Sequence, residues 1–372
     1  MKTTTLSLTE VRLSEEEQAA AIEVLKSGQL REGKRVRAFE EAFRSFVGVG
    51  DAVAVSSGTA ALHLAYLALI NPGDEVLVPA FTFIATASMV AIAGGVPVFC
   101  DIDPETWEID PADIERKITS KTKAIAGVHL FGNSCDIDTI QKIASKRGLK
   151  IIWDAAQSMG TFYRGKDVAQ YPDTVCFSFY PSKNMTTGEG GMVATDDLKA
   201  AAKVRLLKSH GQAEKYCHQI LGFNYRMTEV EAAIGMIQLQ KLNGFIQQRK
   251  KIGARFAKGF AGAGDIAIQK TTPGCDPSFN YFSIALKKNA VKISRDELVQ
   301  ELRKEGIPCA VHYPIPLHEQ PCFAHYRRGA VPVSEALARN ILSLPMHPYL
   351  TEPDVDFVVE KVLQLVGKYA TK

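Results

Sequence analysis

The stretch AVAVSSGTAALHLAYLALINPGDEVLVPAFTFIATASMVAIAGGVPVFCDID (residues 52–103) decides the fold. AVAV (52–55) is a short apolar run of strand length, and SGTAALHLAYLALI behind it has the length of a helix. EVLVPA (75–80) and PVFCDID (97–103) repeat the strand signal, with the helix TFIATASMVAIAG between them. The alternation continues through KAIAGVHLFG (123–132), the helix DTIQKIASKRG, and the strands KIIWDAA (150–156), TVCFSF (174–179) and GGMVATD (190–196). Runs of Val, Ile and Ala alternating with helices predict an α/β layer built on a mostly parallel sheet.

The flanking segments complete the outline. SEEEQAAAIEVLKS (14–27) opens on a cap-like serine, and RVRAFEEAFRSFVG (35–48) reads as an amphipathic helix. Beyond residue 200 the helices lengthen, and TEVEAAIGMIQLQKLNGFIQQRKKIGARFAKGF carries few strand signals. NYFSIAL (280–286) and PCAVHY (308–313) read as strands; SRDELVQELRKEG and TEPDVDFVVEKVLQLVGKY read as helices. The expected organisation is a large α/β domain over 1–245 and a smaller C-terminal α+β domain over 246–372.

Composition narrows the function. Lys plus Arg is 44 and Asp plus Glu is 41, a balance that points to neither nucleic acid nor an anionic membrane as partner. The seven cysteines form no CxxC pair, which argues against a disulfide framework or a structural zinc. The N-terminal MKTTTLSLTEVRLSEEEQ has no apolar core, so the expectation is a cytoplasmic protein without an anchor. The histidines are scattered without HExxH spacing, no GxGxxG follows the first strand, and there is no P-loop.

Chemistry concentrates in CFSFYPSKNMTTGEGGMV (176–193). Its single lysine, Lys183, stands after an aromatic strand end and before a glycine-rich turn. A loop lysine is ordinarily a solvated one, but a desolvated amine becomes a nucleophile toward carbonyls. In an α/β site that chemistry points to pyridoxal 5'-phosphate. The cofactor demands a carboxylate for its ring nitrogen, and Asp154 ends an apolar strand, where an unpaired acid would be costly; it could equally cap a helix. Ser57, Gly58 and Thr59 lie at a strand-to-helix turn whose N–H groups suit a phosphate, though SGTA also fits an ordinary turn. Ser178 adds a hydroxyl, Phe83 offers a planar face unless it is core packing, and Gln157 is spaced to reach the ring's phenolate oxygen.

Together SSGTAALHLA, VPAFTFIATA, DIDPETWEID, VHLFG, WDAAQSMG, SFYPSKNMTTGEGGM, HGQ…LGFNYRMTEVEAAIG and HYPIPLHEQPCF resemble, in this order, the DegT/DnrJ/EryC1/StrS family of sugar aminotransferases. The perosamine-type members are the most similar in pattern. The resemblance implies the fold type I architecture of aspartate aminotransferase and a homodimer with shared active sites. Lys183 would be the Schiff-base lysine, Asp154 and Gln157 the ring contacts, Phe83 the stacking aromatic, and Gly58, Thr59 and Ser178 the phosphate contacts. Asn224 would reach the phosphate from the other subunit.

The implied substrates are L-glutamate and a nucleotide-linked keto-sugar, with a 4-keto-6-deoxyhexose expected. The alternatives are a 3-keto sugar or a non-catalytic, cofactor-binding regulator. His312 and Tyr313 would contact the sugar, with His318 and Arg226 as weaker candidates. The chain departs from the pattern at GKRV (33–36) and at Arg31, near the expected substrate entrance. There Arg31 and Lys34 could meet a diphosphate.

Overall fold

Period-two alternation along the strands sorts apolar side chains onto two buried faces. In β1 (Asp51–Val55), Ala52 and Ala54 join one core while Val53 and Val55 join the other. The pattern leaves no polar face, as a sheet covered on both sides requires. The computed structural model describes residues 6–171, 173–326 and 329–371. Its large sheet comprises β1, β2 (Glu75–Pro79), β3 (Val96–Cys100), β4 (Thr122–Val128), β5 (Lys150–Asp154), β6 (Thr174–Ser178) and β7 (Gly191–Thr195), in the order β1-β7-β6-β5-β4-β2-β3. β3, β2, β4, β5 and β6 pair in parallel, and β7 runs antiparallel to both β1 and β6.

The helices are α1 (Glu15–Ser27), α2 (Lys34–Val47), α3 (Gly58–Leu69), α4 (Ala85–Ile92), α5 (Pro111–Lys117), α6 (Ile137–Arg147), α7 (Leu198–Lys208), α8 (Glu229–Gly259), α9 (Arg295–Lys304), α10 (Pro332–Asn340) and α11 (Glu352–Lys368). α2, α6 and the first half of α8 cover one sheet face through Phe39, Ile140 and Leu242; α3, α4 and α7 cover the other through Leu64, Val90 and Val204. Side-chain caps set several starts. Ser14 and Glu17 form a capping box on α1, and Thr228 and Glu231 form one on α8. α2 begins on Gly33, which offers no side chain, and its first N–H groups are instead met by Glu229 of α8.

A small antiparallel sheet, β8 (Ile266–Ile268), β9 (Phe282–Leu286) and β10 (Ile341–Leu344), packs with α9 and α11 around a second core. α8 runs unbroken through residue 245, and core membership changes along it: Ile246 belongs to the large core, Ile252 and Phe256 to the small one. We therefore propose to divide the chain inside this helix. The division is also discontinuous in sequence. Leu6 packs on the small core, whereas Leu317, Phe323 and Val331 pack with the large sheet.

The strand expected over PCAVHY does not form; only Ala310 makes a bridge, to Ser343 of β10. Pro308, Pro314 and Pro316 lack the N–H groups that a longer ladder would need. The helix expected from Thr82 starts only at Ala85. α10 and β10 adjoin without a turn residue between Asn340 and Ile341, which hides both from a pattern reading.

A buried charge network ties α2, β1 and α7 together. Glu40 accepts from the Ala54 N–H at 2.8 Å, pairs with Arg205 at 2.7 Å and with Lys208 at 3.2 Å, and Arg205 also holds Asp51 at 2.7 Å. Removing Glu40 leaves the buried Lys208 amine with Glu32 as its one carboxylate among the described residues, at 2.9 Å, and the Ala54 N–H without its side-chain acceptor. Glu40→Ala is expected to lower the unfolding free energy by about 3 kcal/mol in urea titrations at neutral pH. A loss below about 0.5 kcal/mol would show the network to be dispensable.

Candidate active site

The C-terminal ends of β1, β5 and β6 bring the chemistry-bearing residues to one rim of the sheet, where open α/β sheets place ligands. Asp154 is the last residue of β5 and is buried. Thr86 of α4 donates its hydroxyl to Oδ2 at 2.7 Å, and the Ala156 N–H donates to Oδ1 at 3.1 Å. Burial pushes the carboxyl upward, opposed by these two hydrogen bonds and by the charge of Lys183. Burial pulls the Lys183 amine down to about 8, and Asp154 opposes that shift. Each group thus opposes the shift that burial imposes on the other.

The loop carrying Lys183 is fixed from both sides of the proposed division. Asn184 donates to the Met159 carbonyl at 2.9 Å and to Ser278 Oγ at 3.0 Å. Asn280 donates to the Ser182 carbonyl at 3.0 Å, and the Tyr281 hydroxyl lies 3.0 Å from that of Ser182. Gly188 and Gly190 take positive φ, at 90° and 151°. Gly191 serves a different need: a Cβ there would meet the Ser57 carbonyl oxygen at 2.4 Å.

That close approach builds a cradle. Ser57 caps α3 by accepting from Ala60 N at 3.1 Å. Gly58 lies so near β6 that a Cβ would stand 2.6 Å from the Ser178 Cβ. The N–H groups of Gly58 and Thr59 donate to no partner among the described residues. A helix N-terminus, free donors and the Ser178 hydroxyl make a cradle suited to a dianion.

Gln157 is oriented by the backbone. Its Oε1 accepts from Phe131 N–H at 2.8 Å, which leaves Nε2 to donate to the Tyr313 hydroxyl at 2.8 Å. Phe83 is 51% exposed, with its ring 6.0 Å from that of Tyr313, so it stands at the mouth rather than in the core. His312 shares a hydrogen bond with Ser343 Oγ at 2.9 Å and lies 4.4 Å from the Tyr281 ring. Burial, then the charge of Lys183, pulls its imidazole down to about 4, so it is neutral at neutral pH.

Other expected residues stand apart. Asn224 is exposed, and its side chain makes no hydrogen bond among the described residues. Arg31 and Lys34 are exposed without an ion pair among them. Arg226 donates to Ser209 Oγ at 3.2 Å rather than to a carboxylate. His318 is engaged with Glu335 at 3.3 Å and Phe99. Sequence reasoning missed Thr86, Asn280 and Tyr281. Thr86 sits in the apolar helix ATASMVAI, 68 residues before its partner Asp154, and nothing local marks it.

Residues 11–363 match the model of the DegT/DnrJ/EryC1/StrS aminotransferase family. The chain is 40% identical to a pleiotropic regulatory protein of Geobacillus stearothermophilus over 94% of each chain. It is 41% identical to the UDP-N-acetyl-3-dehydro-alpha-D-glucosamine 3-aminotransferase of Acidithiobacillus ferrooxidans, over 87% of this chain and 86% of that protein. It is 38% identical to the GDP-perosamine synthase of Caulobacter vibrioides, over 90% and 91%. The crystal structure of S. venezuelae DesV superposes with a TM-score of 0.90 at 36% identity, covering 94% of each chain.

Two outcomes test this geometry. In cofactor-free protein, Lys183 is expected to react with an amine-directed acylating reagent with a midpoint near pH 8, read by mass spectrometry of its peptide. Asp154→Asn removes the charge that raises the amine, so the midpoint should fall further; a midpoint in the ordinary lysine range would refute the buried pair. Gly58→Ala forces a Cβ into Ser178 and should weaken phosphate-dependent cofactor binding about tenfold or more, measured by equilibrium dialysis.

Proposed function

We propose that this chain, which belongs to the DegT/DnrJ/EryC1/StrS aminotransferase family, transfers the amino group of L-glutamate to a nucleotide-linked keto-sugar with pyridoxal 5'-phosphate as cofactor. The observation that carries the reading is the desolvated Lys183 amine, drawn down to about 8 beside the buried Asp154 carboxyl.

The residues present fit the cofactor. Asp154 would hold the ring nitrogen, and Gln157, its amide fixed by Phe131, would face the phenolate oxygen. Gly58, Thr59 and Ser178 would hold the phosphate in a cradle that a Cβ at Gly58 would fill. Phe83 would cover a ring face. When bound, the cofactor supplies an electron sink for the negative charge left on the donor's carbon.

The chain's own part is proton management and orientation. Lys183, half neutral near pH 8, takes the proton from the amino-bearing carbon of the donor and then delivers it, as base and acid in turn. Asp154, whose carboxylate form is favoured against burial by Thr86, the Ala156 N–H and the charge of Lys183, would face the ring nitrogen and favour its protonated form. The Asn280 and Asn184 bonds hold the lysine loop still, so the amine meets the donor in one geometry. Neutral His312 and the hydroxyl of Tyr313 present hydrogen-bonding groups to the sugar. Arg31 and Lys34 are the candidates for its diphosphate.

The exposed Asn224, whose side chain has no hydrogen bond among the described residues, supports a homodimer in which Asn224 of the partner subunit completes the phosphate site. We assign the acceptor as a 4-keto-6-deoxyhexose, on the likeness to perosamine-type members. The likeness to a 3-aminotransferase supports a 3-keto sugar as the second reading. A regulatory role finds support in the name of one relative. The assembled Lys183, Asp154 and Gln157 favour catalysis over a site kept for binding alone.

In a panel of keto-sugar nucleotides with L-glutamate, mass spectrometry is expected to show amination at C4; amination at C3 selects the second reading. L-Glutamate should shift the visible absorbance of the cofactor, and silence toward every amino donor would leave only the regulatory reading. Lys183→Ala should lower kcat by about 10³-fold or more. Asn224→Ala should weaken cofactor retention, and mixing Asn224→Ala with Lys183→Ala subunits should restore part of the activity, since one site per mixed dimer is then intact.

A further inference from the structure

Two buried serines interrupt the apolar content of the small sheet. Ser283 of β9 and Ser343 of β10 stand opposite each other in register, and Phe282, Ile284, Leu342 and Leu344 on either side of them belong to the small core. Ser343 is 0% exposed and Ser283 4%, and a buried hydroxyl is costly unless it is hydrogen-bonded. Their Oγ atoms lie 2.8 Å apart, and Ser343 Oγ lies 2.9 Å from Nδ1 of His312. Neither serine side chain has another hydrogen bond among the described residues. The His312 ring lies 4.4 Å from that of Tyr281, whose hydroxyl reaches Ser182 beside Lys183.

The protons in this row of hydrogen bonds are placed by elimination. Burial, and then the charge of Lys183, keeps the imidazole neutral at neutral pH, so it carries one proton. A proton on Nδ1 would donate to Ser343 Oγ. The two serine hydroxyls would then share one contact between them, and one buried O–H would have no acceptor. With the proton on Nε2 instead, Ser283 donates to Ser343, Ser343 donates to Nδ1, and every proton of the row is met. Nε2 makes no hydrogen bond among the described residues, and His312 is only half-buried, within reach of the Lys183 charge. The Nε2–H is therefore open to a ligand.

We infer that Ser343, backed by Ser283, is a positioning residue that holds His312 as its Nε2–H tautomer, so that the site offers the acceptor sugar a fixed hydrogen-bond donor. The assignment rests on the aminotransferase reading and adds to it the sense of the contact. A donor selects a lone pair, which a keto or hydroxyl oxygen of the sugar supplies. An ammonium group at the same place would set donor against donor. Ser343 acts through His312 and touches no substrate itself.

The test uses cofactor-loaded protein isotope-labelled at its histidine nitrogens, whose proton–nitrogen correlation spectra distinguish the two tautomers; His312→Gln assigns the signal. In the wild type the proton is expected on Nε2 at neutral pH, and a proton on Nδ1 overturns the assignment. Ser343→Ala should let the two tautomers mix and raise KM for the keto-sugar nucleotide about tenfold, with the half-saturating L-glutamate, read from the visible absorbance, unchanged. Ser343→Thr keeps the hydroxyl and should restore both tautomer and KM. A folded Ser343→Ala protein with the wild-type tautomer and KM, or a loss that Ser343→Thr does not recover, also overturns the assignment and leaves the aminotransferase reading standing. If Ser343→Ala does not fold, the wild-type spectrum decides. A wild-type protein silent to every amino donor removes the aminotransferase reading and the sugar contact with it.

Discussion

A buried amine and a buried carboxylate stabilise each other's charge at the rim of the large sheet, and most of the architecture serves to keep them there. Burial disfavours the charged form of both Lys183 and Asp154. Their mutual attraction opposes this only while they remain close in a medium of low dielectric. Asp154 is fixed by the end of β5, by Thr86 and by its neighbour's N–H. Lys183 has no such regular element, so its loop is anchored to residues 278–281. The packing of these residues against the lysine loop is therefore part of the electrostatics of the site.

A second constraint is backbone proximity. β7 is the one strand of its sheet that runs against its neighbours, and it brings Gly191 against the start of α3. Gly58 in turn touches Ser178 across the same gap. Any side chain at either glycine would separate α3 from β6 and open the cradle. The glycines thus act by what they leave out, and only Gly188 and Gly190 of their neighbourhood act through backbone conformation.

Much of this was legible in the residues. The seven strands of the large sheet, the lysine, the carboxylate and the turn at Ser57–Thr59 each carry a local signal: an apolar run, an isolated charge, a small-residue break. The strand expected over PCAVHY failed because Pro308 and the following Pro314 and Pro316 lack the N–H groups a ladder needs, which outweighs its apolar content. Thr86, Asn280 and Tyr281 gave no signal because each is defined by a partner far away in the chain. The division of the chain was also blurred, since α8 is amphipathic throughout and contributes to two cores in turn.

The sequence by itself determined the alternation of strand and helix, the two-faced burial of the sheet and the residue types able to do the chemistry. These follow from periodicity and from the cost of placing a charge at an apolar strand end, both local properties. Tertiary structure alone decided which strand reverses, which nitrogen of His312 meets Ser343, and how Phe131 turns the Gln157 amide. Those choices depend on distances between segments tens to hundreds of residues apart, and such distances exist only once the chain has packed.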